Sequence, residues 1–239
     1  EPLPRYTTDR PLADLTPEDL PGMSPEAAER FKEISLSGLV GNFPLYTHQV
    51  GMLQRAVGGQ NAVVTAGTGS GKTESFLLPL FASLAAESLN WDAPGERPPY
   101  IDDWWSNEGW QASCKNDAGH ITRSFRVPQR GHETRPAAVR ALILYPMNAL
   151  VEDQLTRLRR ALDSDESRQW GADNMNGNRI YFGRYTGNTP VPGHEHKQNG
   201  NPERKRIERL ARELADLDRG ASEAARHSAR RMAEAPTEE

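Results

Sequence analysis

Cysteine is almost absent: Cys114 stands alone in 239 residues. An internal disulfide is therefore excluded, and the usage fits a reducing compartment. No apolar run approaches the roughly 20 residues that a membrane-spanning helix needs. The opening EPLPRYTTDRPL holds no apolar signal segment and no initiating methionine, so the chain is expected to be trimmed, cytoplasmic and without a membrane partner. A basic excess is lacking too. Lys and Arg number 29 against 33 Asp and Glu, a net charge of −4. That excludes a chain that is basic throughout, but a local basic groove for nucleic acid remains compatible with it. Apolar residues make up 36%, which supports a core with much polar sequence outside it.

What is present alternates. Residues 1–22 are rich in proline and acidic residues and read as an extended arm without a core of its own. In SPEAAERFKEI, Ser24 can cap a helix and Pro25 suits its first position. The arm and this short helix make up residues 1–42. Leu45, His48, Met52 and Leu53 recur at helical spacing, which predicts a helix from about Thr47 to Val57 ended by Gly58-Gly59. NAVVTA then reads as a short buried strand. KTESFLLPLFASLAAESL reads as a helix with Phe76, Leu77, Leu80, Phe81 and Leu84 inward and a mild kink at Pro79. VRALILYP is a second strand, NALVEDQLTRLRRALDS a second helix and NRIYFGRYTG a third strand. Strand alternating with helix predicts an α/β fold, a parallel sheet covered by helices on both faces, over residues 43–190.

Two stretches break the alternation. From about 90 to 136 Trp91, Trp104, Trp105 and Trp110 lie among Gly, Pro, Asp and Asn, an insertion that is either functional or mobile. Its tryptophans either anchor it or stack unpaired bases. Arg123, Arg126, Arg130 and Arg135 either border a nucleic-acid channel or solvate a loop. Residues 191–239 form a loop and then a charged helix. Ile207, Leu210, Leu214, Leu217 and Ala221 make a short apolar seam on it, either laid on a neighbour or offered to a coiled-coil partner. Cys114, His120 and His132 do not make a zinc pattern, and His194 and His196 read as solvated loop residues.

TAGTGSGKTES, residues 65–75, carries the chemistry. A strand, a glycine-rich turn and Gly71-Lys72-Thr73 opening a helix form a phosphate-loop arrangement. Glycines let the backbone wrap phosphates with its N–H groups inward, and the helix adds the positive end of its dipole. Lys72 is the candidate for the terminal phosphates and Thr73 for Mg²⁺, with ATP as the nucleotide. The expected nucleotide-binding residues are Thr68, Gly69, Ser70, Gly71, Lys72, Thr73 and Glu74.

Further stretches resemble a family. AGTGSGKTE is similar to motif I of superfamily 2 helicases and PLYTHQ to their Q-motif. ALILYPMNALVEDQL resembles motif Ia and GRYTGNTP motif Ib. The resemblance covers about residues 43 to 192 and implies a RecA-like phosphate-loop domain. It implies that Gln49 reads the adenine edge and that Tyr46 packs on the base. Pro146, Asn148 and Gln154 would grip one nucleic-acid strand together with Thr186 and Gly187, and Arg184 would pair with phosphate. Asn148 is also a candidate helix cap. The wording of motifs Ia and Ib resembles large bacterial helicases with a DUF1998-type C-terminal region, members of which occur in antiphage systems such as DISARM and Druantia. This implies an ATP-driven helicase on DNA, single strand or duplex, with possible defence-system partner proteins. The alternatives are a double-strand translocase or remodeller, and an interaction module with a vestigial nucleotide site.

The family's acidic-pair motif is not found. Asp165-Glu166 follows a helix, not a buried strand, and does not qualify. The second RecA-like domain and its arginine finger are not found either. The sheet is thus expected to be incomplete and the remainder of the helicase polypeptide to be a partner. Residues 1–239 alone are expected to bind ATP poorly and to hydrolyse almost none, because an arginine finger contributes about 10³–10⁵ in rate.

Overall fold

The computed structural model describes residues 6–67, 69–187, 189 and 194–234, with side chains up to Arg230. The described elements are β1 (Thr8–Pro11), α1 (Pro25–Leu36), β2 (Pro44–Tyr46), α2 (Thr47–Val57), α3 (Lys72–Ser88), α4 (Glu108–Ser113), α5 (Asn148–Leu162), α6 (Asp165–Asn174) and α7 (Arg204–Glu234). They fall into two compact units. One holds the residues up to Gly95 and Glu133–Arg184; the other holds Glu96–His132 and the chain from Tyr185 onward.

Helices form where local chemistry starts and stops them. Ser24 accepts from the Ala27 N–H at 3.1 Å and Pro25 opens α1. α2 spans Thr47–Val57 as its periodicity predicts, and Gly59 follows with φ +77°. α3 runs through Pro79 without a break. Its Leu77, Leu78 and Phe81 are fully buried, while Phe76 and Leu80 are half-buried.

The core of the first unit lies among α1, α2 and α3, centred on Phe31, Leu53 and Phe81. The arm joins it. Leu12, Leu15 and Leu20 are buried there, and β1 pairs antiparallel with β2, Thr8 opposite Tyr46. The arm has no core of its own because it supplies part of this one. Gly38 closes the α1 end against α5: a Cβ there would lie 2.9 Å from the Ala161 Cα, so only glycine allows the approach.

The predicted parallel sheet is not formed among the described residues; the only sheet is β1–β2. Residues 61–66, 139–146 and 178–187 run without ladder partners. Exposure still alternates with period two along 61–66, with Val63 90% exposed and Val64 half-buried. Leu142 and Leu144 are likewise 79% and 80% exposed. On the covered side, Tyr145 meets Phe76 of α3 with ring centroids 6.5 Å apart. The helices thus cover one side of these segments and leave the other bare, whereas a parallel sheet is stable when covered on both faces and paired along its strands.

In the second unit the insertion and α7 share a core. Ile101, Trp104, Cys114, Phe125 and Val127 bury against Ile207 and Ala211. Asn107 caps α4 by accepting from the Trp110 N–H at 2.9 Å, and Trp110 Nε1 donates to the Phe125 carbonyl at 2.6 Å. The Trp110 ring stacks on Tyr100 at 5.0 Å, with the Arg123 guanidinium 4.7 Å over it. These tryptophans anchor the insertion. Of the seam on α7, Ile207 is buried, Leu210 and Leu214 are half-buried, and Leu217 is 66% exposed. No helix among the described residues is long and apolar enough to cross a membrane.

Candidate nucleotide site

The loop from Thr65 to Gly71 joins an extended segment to α3, and its shape depends on two glycines. Gly69 and Gly71 hold φ of +76° and +68°, the left-handed region that a side chain disfavours. Gly71 is the residue before α3, and a Cβ on it would run into the Gln49 amide. Lys72 folds its ammonium back over the loop, donating to the carbonyl oxygens of Ala66, at 2.9 Å, and Gly67. Ser70 is buried and donates to the Gly67 carbonyl at 2.8 Å. Thr68 lies outside the described residues.

Helix α2 holds the loop from behind. Gln49 is 5% exposed and both ends of its amide are taken: Oε1 accepts from the Tyr46 N–H at 2.8 Å, and Nε2 donates to the Gly71 carbonyl at 2.9 Å. Reading an adenine edge would require these bonds to open. His48 Nε2 donates to the Ser70 carbonyl at 2.8 Å, and its ring stacks on Tyr46 at 5.5 Å and 10°. Tyr6 of the arm joins them: its hydroxyl accepts from the Gly67 N–H at 2.5 Å, and its ring meets Tyr46 edge-on at 5.9 Å. Sequence reasoning missed both residues. His48 sits between the recognised Tyr46 and Gln49, so its place was a signal. Tyr6 lies 61 residues before Gly67 and carried none.

Helix α5 meets the first turn of α3. Gln154 is 8% exposed and its Nε2 lies 3.3 Å from Thr73 Oγ1. One turn on, Arg157 Nη1 pairs with Glu74 Oε1 at 2.6 Å. Gln154, expected at the nucleic-acid strand, is thus turned inward onto Thr73 and is buried. Asn148 also differs: it is the first residue of α5, after Met147, and no side chain caps that end. The first amides of α5 are thus left without a capping side chain. Pro146 and Asn148 are exposed there. Arg184 pairs with Glu152 of α5. Thr186 and Gly187 fall in the second compact unit. Asp165 and Glu166 stand in the first turn of α6, capped by Ser164, a helix start and not a strand end.

The residues fit a magnesium nucleotide: left-handed glycines shape the turn, one ammonium lies over it, and the Thr73 hydroxyl stands in the first turn of α3. The DEAD/DEAH box helicase family model matches residues 46–180, more than half of the chain. The chain belongs to the DEAD/DEAH box helicase family. Membership implies a RecA-like α/β architecture. The chain is also 35% identical over 193 residues to the Druantia protein DruE of Escherichia coli (strain UMEA 4076-1). That similarity covers 77% of this chain and 8% of the relative, so the chain spans a small part of the length of the protein it matches. No solved structure matches.

Proposed function

We propose that this chain is the front nucleotide-binding lobe of an ATP-driven DNA helicase of bacterial antiphage defence, working in the cytoplasm. The observation that carries the reading is the loop from Thr65 to Gly71, with its two left-handed glycines and the Lys72 ammonium folded over it. Lys72 attracts the terminal phosphates, and the first amides of α3 meet their oxygens. The Thr73 hydroxyl holds Mg²⁺, and Tyr46 and Gln49 border the base. Bound ATP supplies the free energy that is released on phosphoryl transfer. Every other role belongs to the protein: orienting, neutralising charge and excluding water.

The unpaired edges of residues 61–66 and 139–146 take strands from the remainder of the polypeptide, including the acidic-pair strand, and the bare face along Val63, Leu142 and Leu144 is covered by the same remainder. The exposed Pro146 and Asn148, at the start of α5, face the DNA backbone with Arg184 in the first unit, and Thr186 and Gly187 are the strand contacts that the second unit offers. Antiphage defence is supported by the likeness to the Druantia protein and by nothing in the site.

The test uses the complete polypeptide. Lys72→Ala abolishes ATP binding and DNA-stimulated turnover; turnover that is indifferent to DNA and RNA overturns the reading. A strand-displacement assay beside a triplex-displacement assay separates unwinding from translocation on duplex. Residues 1–239 alone are expected to turn over ATP at background, since among the described residues no acidic pair or arginine finger reaches the loop.

A further inference from the structure

Gln154 and Arg157 lie one turn apart on α5, and both grip the first turn of α3. Gln154 reaches Thr73 and Arg157 reaches Glu74. Those two residues of α3 stand at the nucleotide site, while the first residue of the same α5 is the exposed Asn148, with the exposed Pro146 two residues before it. One rigid helix therefore touches both candidate surfaces.

A second observation separates Gln154 from an ordinary packing glutamine. Its Nε2 is shared between Thr73 Oγ1 and Asp153 Oδ2, at 3.3 and 3.0 Å, yet its buried Oε1 has no hydrogen-bond partner among the described residues. A buried amide oxygen left unpaired costs about 1–3 kcal/mol. The amide thus has an unfilled acceptor beside a hydroxyl that has a proton to give. A cation on the oxygen of Thr73 disfavours an N–H aimed at that oxygen and favours an acceptor for its proton. Gln154 supplies both ends, so a turn of the amide meets either state of the loop.

We infer that Gln154 and Arg157 form a latch that couples nucleotide occupancy at Thr73 and Glu74 to the position of α5, and through it to the grip on DNA. Gln154 is a positioning residue, and it touches neither base nor sugar. The inference rests on the functional reading above and adds the route by which its two halves communicate. Arg157 is 46% exposed at its side chain and Glu74 17%, so the ion pair fixes geometry more than it stabilises.

The experiment measures the affinity of the complete polypeptide for a fluorescein-labelled oligothymidine, with and without a non-hydrolysable ATP analogue and Mg²⁺. The ratio of the two affinities is the coupling, about 5–150-fold in systems of this kind. Gln154→Leu and Arg157→Ala are expected to bring that ratio to within about twofold of unity. The charge-swapped pair Glu74→Arg with Arg157→Glu is expected to recover part of it. Thermal melting of each variant confirms the fold, and Arg157, being half exposed, is the variant least exposed to misfolding.

A wild-type ratio well above unity that survives in both variants overturns the latch and leaves the functional reading standing. A Gln154→Leu variant that weakens DNA binding equally with and without nucleotide makes Gln154 a plain DNA contact and also overturns it. A wild-type protein that binds no nucleotide overturns both.

Discussion

The Gln49 amide nitrogen lies 2.9 Å from the Gly71 carbonyl, and through that bond α2 fixes the turn where the phosphate loop becomes α3. The bond leaves no room for a side chain on Gly71, and its φ of +68° costs any other residue about 1–2 kcal/mol. Gly71→Ala is expected to destabilise the first unit by about that amount and to weaken nucleotide binding by about tenfold or more. Urea unfolding and nucleotide titration check the two effects separately.

Asp19 ties the arm to α2. Its carboxylate accepts from the Thr16 N–H at 2.9 Å, the Thr16 hydroxyl at 3.0 Å, Arg10 at 3.2 Å and Gln54 Nε2 at 3.1 Å. The Thr16 backbone N–H is the chief cause that holds its pKa below the ordinary carboxylate value, with the Thr16 hydroxyl, Arg10 and Gln54 assisting against desolvation. A pKa depressed on folding gives stability that is complete above the unfolded value of about 4 and is lost as pH falls through the folded one. Asp19→Asn should therefore lower stability at neutral pH by about 1–3 kcal/mol. It should also flatten the fall on the acid side in denaturation curves taken from neutral pH downward.

Phe81 is fully buried at the centre of the first core, while Phe76 on the same helix is half-buried. Phe81→Ala is expected to cost about 3–5 kcal/mol. Phe76→Ala should cost clearly less, and chemical denaturation of the two variants side by side ranks them.

On α7, Ile207 is buried and Leu217 is 66% exposed. Ile207→Ala is expected to cost the second unit about 2–5 kcal/mol, and Leu217→Ala about 0.5 kcal/mol or less. Amide exchange over Arg204–Leu214 should speed up in the first variant and stay unchanged in the second.

Much of this was legible along the chain. α2 begins at Thr47 and ends at Val57, as the spacing of His48, Met52 and Leu53 with the following glycines implies, because helix periodicity and caps are local. The phosphate loop is legible for the same reason: its glycines, Lys72 and Thr73 are consecutive. The extended segments keep their period of two, with Val63 bare and Val64 covered. A ladder, however, needs partners that no local pattern supplies.

By itself, then, the sequence determined the family, the loop and the helices α1, α2, α3, α5 and α7, since each depends on residues within a few turns of one another; α4 and α6 were not legible in it. Only the tertiary structure decided that Gln154 turns inward to Thr73, that Tyr6 reaches Gly67, that Leu12 and Leu20 complete the first core, and that Trp104 and Phe125 share a core with Ile207. Those contacts join residues tens of positions apart. Burial of apolar area and the pairing of buried polar groups select them, and neither leaves a periodic trace in the chain.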